Sequence, residues 1–262
     1  MAIDHLSIAV AASEAAAQVI ATNFRSESVT TSIREKAPND WVTAIDIQAE
    51  AAAMSILRSA TPEIPVVSEE SGGEAAALYW LMDPVDGTVN YMSGYPMVAT
   101  SIALVEGTTP LVGVVNAPVV GDRWTASRGG GAHDRAGKRL RLDQPRPGAP
   151  IAVNVAPHRD PSIRTVAAQL FAELIAEGQR VRAPGCASYD LAATAAGIWG
   201  GYVSSGLSPW DMAASALILR EAGARFTSWD GDPDAWLETG TCVAGPPSWH
   251  AAMVSRLAAA QP

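Results

Sequence analysis

The most informative stretch of this sequence reads Trp80-Leu81-Met82-Asp83-Pro84-Val85-Asp86-Gly87-Thr88-Val89-Asn90. Its apolar beginning predicts a buried strand. Pro84 predicts that the strand ends there, because proline fixes φ and has no amide donor. Gly87 permits a turn that a side chain would block, and it lets the backbone approach a ligand. Thr88 is then placed to cap a short helix. The pattern indicates a strand, a tight turn and the start of a helix.

Two carboxylates on this turn, those of Asp83 and Asp86, lie three residues apart with the carbonyl of Val85 between them. Mg²⁺ prefers carboxylate, carbonyl and water oxygens, so such a turn can hold a divalent cation. The ordinary alternative is that Asp and Gly serve only to form the turn, as they do in many proteins. For this stretch alone, both interpretations stay open.

Further acids lie near the ends of other predicted elements. Glu69 and Glu70 follow a short apolar run, where an exposed strand end would explain them equally well. Asp211 stands two residues after Pro209 at the start of an apolar helix, and an acid there is also an ordinary helix-start signal. Asp46, taken alone, would be an exposed acid on a helix. A shared cation site would explain all of them together.

The apolar spacing predicts an α+β first half and a second half in which strands and helices alternate. Predicted helices lie at 3–24, 43–60, 161–177, 186–197, 209–222 and 247–260, and predicted strands at 64–67, 78–82, 98–105, 111–115, 123–126, 151–155, 180–182, 201–203, 225–226 and 242–244. The segment 134–150 is rich in proline, glycine and charge, so we place the boundary between the halves 1–147 and 148–262 within it. Its basic cluster, Lys138, Arg139 and Arg141, is interpreted as an exposed hairpin or linker face.

The charge balance excludes some classes of partner. The 262 residues contain 18 Lys and Arg against 27 Asp and Glu, a net charge of −9. A protein that coats nucleic acid or an anionic membrane needs a positive field instead. Cys186 and Cys242 lack CxxC spacing and are expected to be small buried side chains. With no signal-peptide pattern and no apolar run near the ~20 residues of a membrane span, we expect a cytoplasmic location.

Four blocks, in this order and spacing, resemble the inositol monophosphatase family of the lithium-sensitive, Mg²⁺-dependent phosphatase superfamily. They are Lys36-Ala-Pro-Asn-Asp40-Trp-Val-Thr43-Ala-Ile-Asp46, then Ser68-Glu69-Glu70-Ser71, then Asp83 through Tyr91, and finally Trp210-Asp211-Met-Ala-Ala-Ser215 with Glu221-Ala-Gly-Ala224. The resemblance covers nearly the whole chain. Ser68 and Ser215 stand where the family pattern has glycine, and both are small.

The resemblance implies a five-layered αβαβα sugar-phosphatase fold, two or three Mg²⁺ ions and a homodimer. Its implied metal ligands are Glu69, Asp83, the Val85 carbonyl, Asp86 and Asp211. It further implies that Glu69 and Thr88 polarise the attacking water, and that Asp46 supports this relay. The implied substrate residues are Val85, Asp86, Gly87, Thr88, Gly185, Cys186, Ala187, Ser204 and Asp211. The amides of Gly87 and Thr88 would bind phosphate, as helix N-termini do.

The resemblance therefore favours an enzyme that hydrolyses a small sugar or polyol phosphate, with inositol monophosphate as the first candidate. Ser204 stands near the position where inositol-specific relatives often place a Glu that holds a sugar hydroxyl. Fructose 1,6-bisphosphate, histidinol phosphate and the 3′-phosphate of adenosine bisphosphate are the alternative substrates. A non-catalytic regulatory member of the family is the alternative class. The histidines His5, His133, His158 and His250 lie outside the motifs and are interpreted as structural or surface residues.

Overall fold

The computed structural model describes residues 4–27, 29, 32–37, 40–154, 160–234 and 236–260. Its helices are α1 (His5–Asn23), α2 (Ala44–Ala60), α3 (Thr88–Ser93), α4 (Pro161–Ala176), α5 (Ala187–Ala195), α6 (Pro209–Glu221), α7 (Trp236–Thr239) and α8 (Pro247–Ala260). Its strands are β1 (Arg34–Ala37), β2 (Asp40–Val42), β3 (Val66–Ser68), β4 (Leu78–Asp86), β5 (Ala99–Glu106), β6 (Thr109–Ala117), β7 (Asp122–Ser127), β8 (Gly131–Asp134), β9 (Ile151–Asn154), β10 (Val181–Arg182), β11 (Gly201–Ser205), β12 (Arg225–Thr227) and β13 (Thr241–Gly245).

The strands form two large sheets and a small hairpin. The first sheet has the order β3-β4-β5-β6-β7-β8 and is antiparallel except for the parallel pair β3–β4. The second sheet, β10-β9-β11-β13-β12, is mixed, with parallel pairs around β9 and antiparallel pairs around β13. Strands β1 and β2 form a two-stranded sheet. The predicted boundary at residue 147 falls between the two large sheets, and the domain division itself stays a prediction.

Helices cover both faces of each large sheet. Helices α1 and α2 pack on one face of the first sheet, where Ile20 and Leu57 meet Trp80. Helices α5 and α6 fill the space between the two sheets. Helices α4 and α8 cover the outer face of the second sheet, where Leu170 and Leu257 are buried. The layers therefore follow the order αβαβα, which confirms the expected five-layered fold.

The first two long helices begin where the sequence provides caps. The Asp4 carboxylate accepts a hydrogen bond from the amide of Ser7 at the start of α1. At the start of α2, the Thr43 hydroxyl accepts from the amide of Ile45, and the Asp46 carboxylate accepts from the amide of Thr43. This reciprocal arrangement satisfies amides that the first helical turn leaves unpaired. It also fixes the position of Asp46.

The end of β4 differs from the prediction. The strand does not end at Pro84 but continues to Asp86, and its register with β5 shifts between Asp83 and Asp86. Asp83 pairs with Ser101 and Asp86 pairs with Ala99, so Pro84 falls in the irregular step, where a missing amide donor costs little. The prediction failed because the pairing with β5 is a long-range contact.

Helix α6 lies directly on the first sheet at Gly113 of β6. A Cβ atom at that position would stand 2.6 Å from the carbonyl oxygen of Ala214, so only glycine allows this approach. The close contact places the first turn of α6, with Asp211, beside the end of β4.

Other expectations concern the surface and the cysteines. Lys138, Arg139 and Arg141 are exposed, as expected. Cys186 and Cys242 are both buried and unpaired. Within the described ranges, no helix is both long and apolar enough to cross a bilayer.

Candidate active site

Three carboxylates meet where β4 ends and α6 begins. Asp83 and Asp86 come from β4 and Asp211 from the first turn of α6, and one oxygen of each lies within 4.8 Å of the others. Asp83 is 2 % exposed and Asp86 is 9 % exposed, while Asp211 is half-buried. The sequence separates Asp211 from the other two by more than a hundred residues, so the fold itself assembles this acidic cluster.

Each of the three carboxylates uses one oxygen as a hydrogen-bond acceptor. The amide of Val85 donates to Oδ1 of Asp83 at 2.9 Å, and the amide of Ser208 donates to Oδ2 of Asp211 at 2.8 Å. Oδ2 of Asp86 accepts from the amide and the hydroxyl of Ser188, at 2.5 and 2.6 Å. These bonds orient the carboxylates and leave the other oxygen of each for a ligand.

The electrostatics of the acidic cluster fit a bound cation. Burial raises the pKa of Asp83 well above its usual range, and the charges of Glu69, Asp86 and Asp211 raise it further. Burial, followed by the charge of Asp86, likewise raises the pKa of Asp211 well above its usual range. A divalent cation would offset this repulsion, and the oxygen-only donor set is the kind that Mg²⁺ prefers. The residues present therefore fit the metal that the sequence predicts.

The two glutamates lie at the rim of the acidic cluster. Glu69 is within hydrogen-bonding reach of Asp83, and burial raises the pKa of Glu69 although the nearby Lys36 lowers it. The ammonium group of Lys36 donates to Glu69 and to Glu70, each at 3.0 Å. Burial raises the pKa of Glu70 to about 7. Sequence reasoning placed Lys36 in a motif but did not foresee that it bridges both glutamates.

Asp46 lies beside the turn that follows β4 and is 1 % exposed, so it is not the exposed helix acid of the alternative interpretation. The Thr88 hydroxyl lies 3.0 Å from Oδ1 of Asp46 and 3.1 Å from the carbonyl oxygen of Val85. Oδ2 of Asp46 accepts from the hydroxyl and the amide of Thr43, at 2.5 and 2.9 Å. Asp46 is thereby fixed against α2, and its other oxygen accepts a hydrogen bond from the Thr88 hydroxyl.

Thr88 is the first residue of α3 and not its cap, which corrects the sequence prediction. The N-cap residue is Gly87, with φ of 89°. The Thr88 hydroxyl is directed to Asp46 and Val85 instead of to the helix amides. A Cβ atom at Gly87 would stand 2.9 Å from the carbonyl oxygen of Met97, so both the positive φ and the crowding require glycine. The predicted phosphate amides of Gly87 and Thr88 thus lie at a turn whose first residue must be glycine.

The second half of the chain contributes a segment that touches the acidic cluster. The Cys186 thiol lies 3.3 Å from Oδ2 of Asp86, and Ala187 begins α5 directly after it. Asn90 donates to the carbonyl oxygen of Pro184 at 2.9 Å, next to Gly185. This contact ties the segment to α3, and the sequence motif contained Asn90 without indicating a partner.

Ser204 has a different environment. It is buried on β11, paired in register with Asn154 and Cys242, and its hydroxyl has no hydrogen-bond partner among the described residues. Within the described ranges, no hydrogen bond joins the Ser204 side chain to the acidic cluster. Its predicted role in substrate binding stays a prediction, as do the roles assigned to the other site residues.

Among the described residues, the histidines make no hydrogen bond to the acidic cluster. The ring of His5 lies 6.1 Å from the ring of Trp80, and Nε2 of His250 lies 2.8 Å from the Thr227 hydroxyl. His158 lies outside the described residues. Ser188 donates hydrogen bonds to Asp86, a contact that the sequence did not indicate because the two residues are 102 positions apart.

A model of the inositol monophosphatase family matches residues 4–261 of the chain. The chain belongs to the inositol monophosphatase family. Among curated relatives, the Nus factor SuhB of Haemophilus influenzae is 34% identical over 246 residues, which is 92% of this chain and 91% of that protein. The Nus factor SuhB of Escherichia coli is 35% identical over 257 residues, which is 96% of this chain and 95% of that protein.

Solved structures of inositol monophosphatase family members have the same fold. The extragenic suppressor protein SuhB of Bartonella henselae matches with a TM-score of 0.86 and 28% identity, covering 97% of this chain and 98% of that one. An inositol monophosphatase from Anabaena matches with a TM-score of 0.77 and 28% identity, covering 98% of this chain and 96% of that one. The likeness therefore extends over both large sheets.

Proposed function

We propose that this chain is a Mg²⁺-dependent phosphomonoesterase that hydrolyses a small sugar or polyol phosphate, with inositol monophosphate as the first candidate. The observation that carries the proposal is the meeting of Asp83, Asp86 and Asp211, whose oxygens lie within 4.8 Å of one another. Membership in the inositol monophosphatase family supports the same activity. A protein that only bound a partner would have no need to bury and crowd these acids.

The metal ligands in this proposal are Glu69, Asp83, the carbonyl of Val85, Asp86 and Asp211, which together would hold two or three Mg²⁺ ions. Bound Mg²⁺ supplies Lewis acidity, because it lowers the pKa of water and offsets charge on the attacking and leaving oxygens. The fixed hydrogen bonds to Asp83, Asp86 and Asp211 keep the ligand oxygens in place before any ion binds.

The chain's own residues position the reactants. The Thr88 hydroxyl donates a hydrogen bond to Asp46, so a lone pair of the Thr88 oxygen is free to accept a hydrogen bond from the attacking water. Glu69 and Thr88 then orient this water toward phosphorus, and the amides of Gly87 and Thr88 bind phosphate oxygens. A new P–O bond forms from the water and the bond to the ester oxygen breaks. The proton that the attacking water loses ends on that oxygen, which gives the free alcohol and inorganic phosphate.

The alcohol part of the substrate is assigned to the segment Gly185, Cys186 and Ala187, with Ser204 further away. Cys186 lies against Asp86, so this segment borders the place where phosphate would sit. The same site could admit fructose 1,6-bisphosphate, histidinol phosphate or the 3′-phosphate of adenosine bisphosphate. We expect a homodimer to be the active form, which sedimentation of the purified protein would test.

The decisive experiment is a substrate panel. Purified protein is given inositol 1-phosphate, the three alternative phosphates and a generic phosphomonoester, and phosphate release is followed with Mg²⁺ and with EDTA. We expect release that requires Mg²⁺ and is fastest with inositol 1-phosphate. Fastest release from another phosphate would reassign the substrate. The absence of metal-dependent release from every compound in the panel would sink the enzymatic proposal.

A second function is favoured by the names of the relatives. Several curated relatives at 34–37% identity are called Nus factors, which fits a regulatory protein that acts through a partner. Catalysis and regulation can be separated with Asp86→Asn, which should remove hydrolysis and leave the surface unchanged. If the effect of deleting the gene is reversed by that variant as well as by wild type, the regulatory function stands without catalysis.

A further inference from the structure

Oδ2 of Asp86 accepts more hydrogen bonds than any other oxygen recorded in the acidic cluster. The amide of Ser188 lies 2.5 Å away, the Ser188 hydroxyl 2.6 Å away and the Cys186 thiol 3.3 Å away. A carboxylate oxygen offers about two lone pairs to donors. The two strong donors from Ser188 therefore fill Oδ2 and leave Oδ1 as the oxygen through which Asp86 can bind a cation.

The neighbouring ligands are less restricted. Oδ1 of Asp83 and Oδ2 of Asp211 each accept one recorded hydrogen bond, from the amides of Val85 and Ser208. Each of these oxygens keeps a lone pair, so either carboxylate can still approach a cation with two oxygens. Asp86 is thus the carboxylate whose binding mode the protein constrains most.

Ser188 is itself held firmly in place. It is fully buried, and its carbonyl oxygen accepts from the Ser215 hydroxyl at 2.9 Å. The amide of Asp190 bonds the carbonyl oxygen of Cys186 and closes the first turn of α5. Ser215, which stands where the family pattern has glycine, thus contacts Ser188 directly.

We infer that Ser188 is a positioning residue which makes Asp86 a one-oxygen ligand and so selects Mg²⁺ over Ca²⁺. Mg²⁺ requires near-octahedral geometry, whereas Ca²⁺ takes six to eight oxygens and often binds a carboxylate through both of its oxygens. Blocking Oδ2 leaves Mg²⁺ binding intact and denies Ca²⁺ one of its oxygens. The inference rests on the proposed function, because it concerns the metal ligands named there.

The test is the variant Ser188→Ala, which removes the hydroxyl and keeps the hydrogen bond from the backbone amide of residue 188 to Asp86. Dissociation constants for Mg²⁺ and for Ca²⁺ alone are measured by titration calorimetry on wild type and variant. We expect the ratio of the Ca²⁺ constant to the Mg²⁺ constant to fall about tenfold in the variant, the lower end of effects seen for partners of metal ligands. Ser188→Cys, which keeps a weak donor, should lie between the two.

The ratio separates positioning from general loosening. If Ser188 only supports the fold, both affinities fall together and the ratio stays at the wild-type value, which overturns the inference. Ser205→Ala is the matched control, because Ser205 is also fully buried and its hydroxyl has no hydrogen-bond partner in the part of the chain that the structure describes. The ratio of the two constants should not change in this control variant. Melting curves in EDTA establish that each variant is folded. Failure of the wild type to bind any divalent cation would instead overturn the proposed function, and this inference with it.

Discussion

Asp86 carries more of the proposed chemistry than any other single residue, because it lies between the acidic cluster and the Cys186–Ser188 segment. Asp86→Asn should lower turnover by more than about 100-fold, beyond the usual effect of losing a partner of a metal ligand. The side-chain oxygen of the asparagine can still accept the hydrogen bonds from Ser188, so the melting temperature in EDTA should not fall. Phosphate release and melting curves check both points. Asp143→Asn, an exposed acid elsewhere, is the control, and near-wild-type turnover in Asp86→Asn would refute the assignment.

Single residues were only partly predictable from the sequence. Asp46, Asp83 and Asp211 each had an ordinary local explanation, and their joint motif pattern alone favoured a shared site. Distant contacts such as Ser188 with Asp86 could not be predicted, because no local pattern encodes a bond between residues 102 positions apart. The sequence also did not show that the Thr88 hydroxyl donates to Asp46 and Val85, since a threonine at a helix start commonly serves as the cap.

Among the elements, α6 joins the second half of the chain to the first sheet. Gly113→Ala should push α6 away from β6, because the new methyl group would clash with backbone atoms of Ala214, which cannot rotate away as a side chain can. We expect a loss of about 1–3 kcal/mol in the free energy of unfolding, as for other overpacked sites. Turnover should fall as well, since α6 carries Asp211. Urea unfolding and phosphate release measure the two effects.

The control for this element is Gly107→Ala. Its Cβ would meet no atom within 4 Å, and only its φ of 59° is unfavourable to alanine. Gly107→Ala should therefore lose stability without losing turnover at a temperature where it stays folded. If Gly113→Ala behaves in the same way, α6 does not position Asp211 through this contact.

Elements were predicted more reliably than their ends. The six long helices and most strands agree with the apolar spacing, because burial on one face leaves a period that can be recognised in the sequence. The short helix α7 was not predicted. The extension of β4 through Pro84 was missed, since it depends on pairing with β5. The hairpin of β1 and β2, which carries Lys36 to the glutamates, has no long apolar run and gave no periodic signal.

At the scale of the whole molecule, the order of the motifs predicted the layered fold. The distribution of charge could not be predicted without the structure. The net charge of −9 argued against a basic binding surface, without indicating where the acids would gather. In the structure, burial is the largest cause of a raised pKa at six acids of the motifs: Asp46, Glu69, Glu70, Asp83, Asp86 and Asp211. Part of the negative charge is therefore concentrated at one buried place, where it destabilises the metal-free chain.

This concentration of charge predicts how stability depends on pH and metal. The folded pKa values of Asp83, Asp86 and Asp211 lie above the ordinary value of 3.8, so the folded chain keeps protons that the unfolded chain releases. Stability without metal should thus decline as pH rises above about 4 through the raised values. Mg²⁺ replaces those protons, so its increase in melting temperature should be larger at pH 8 than at pH 6. Melting curves with EDTA or Mg²⁺ test this. Asp83→Asn should weaken both trends, and an unchanged Mg²⁺ effect in that variant would place the metal elsewhere.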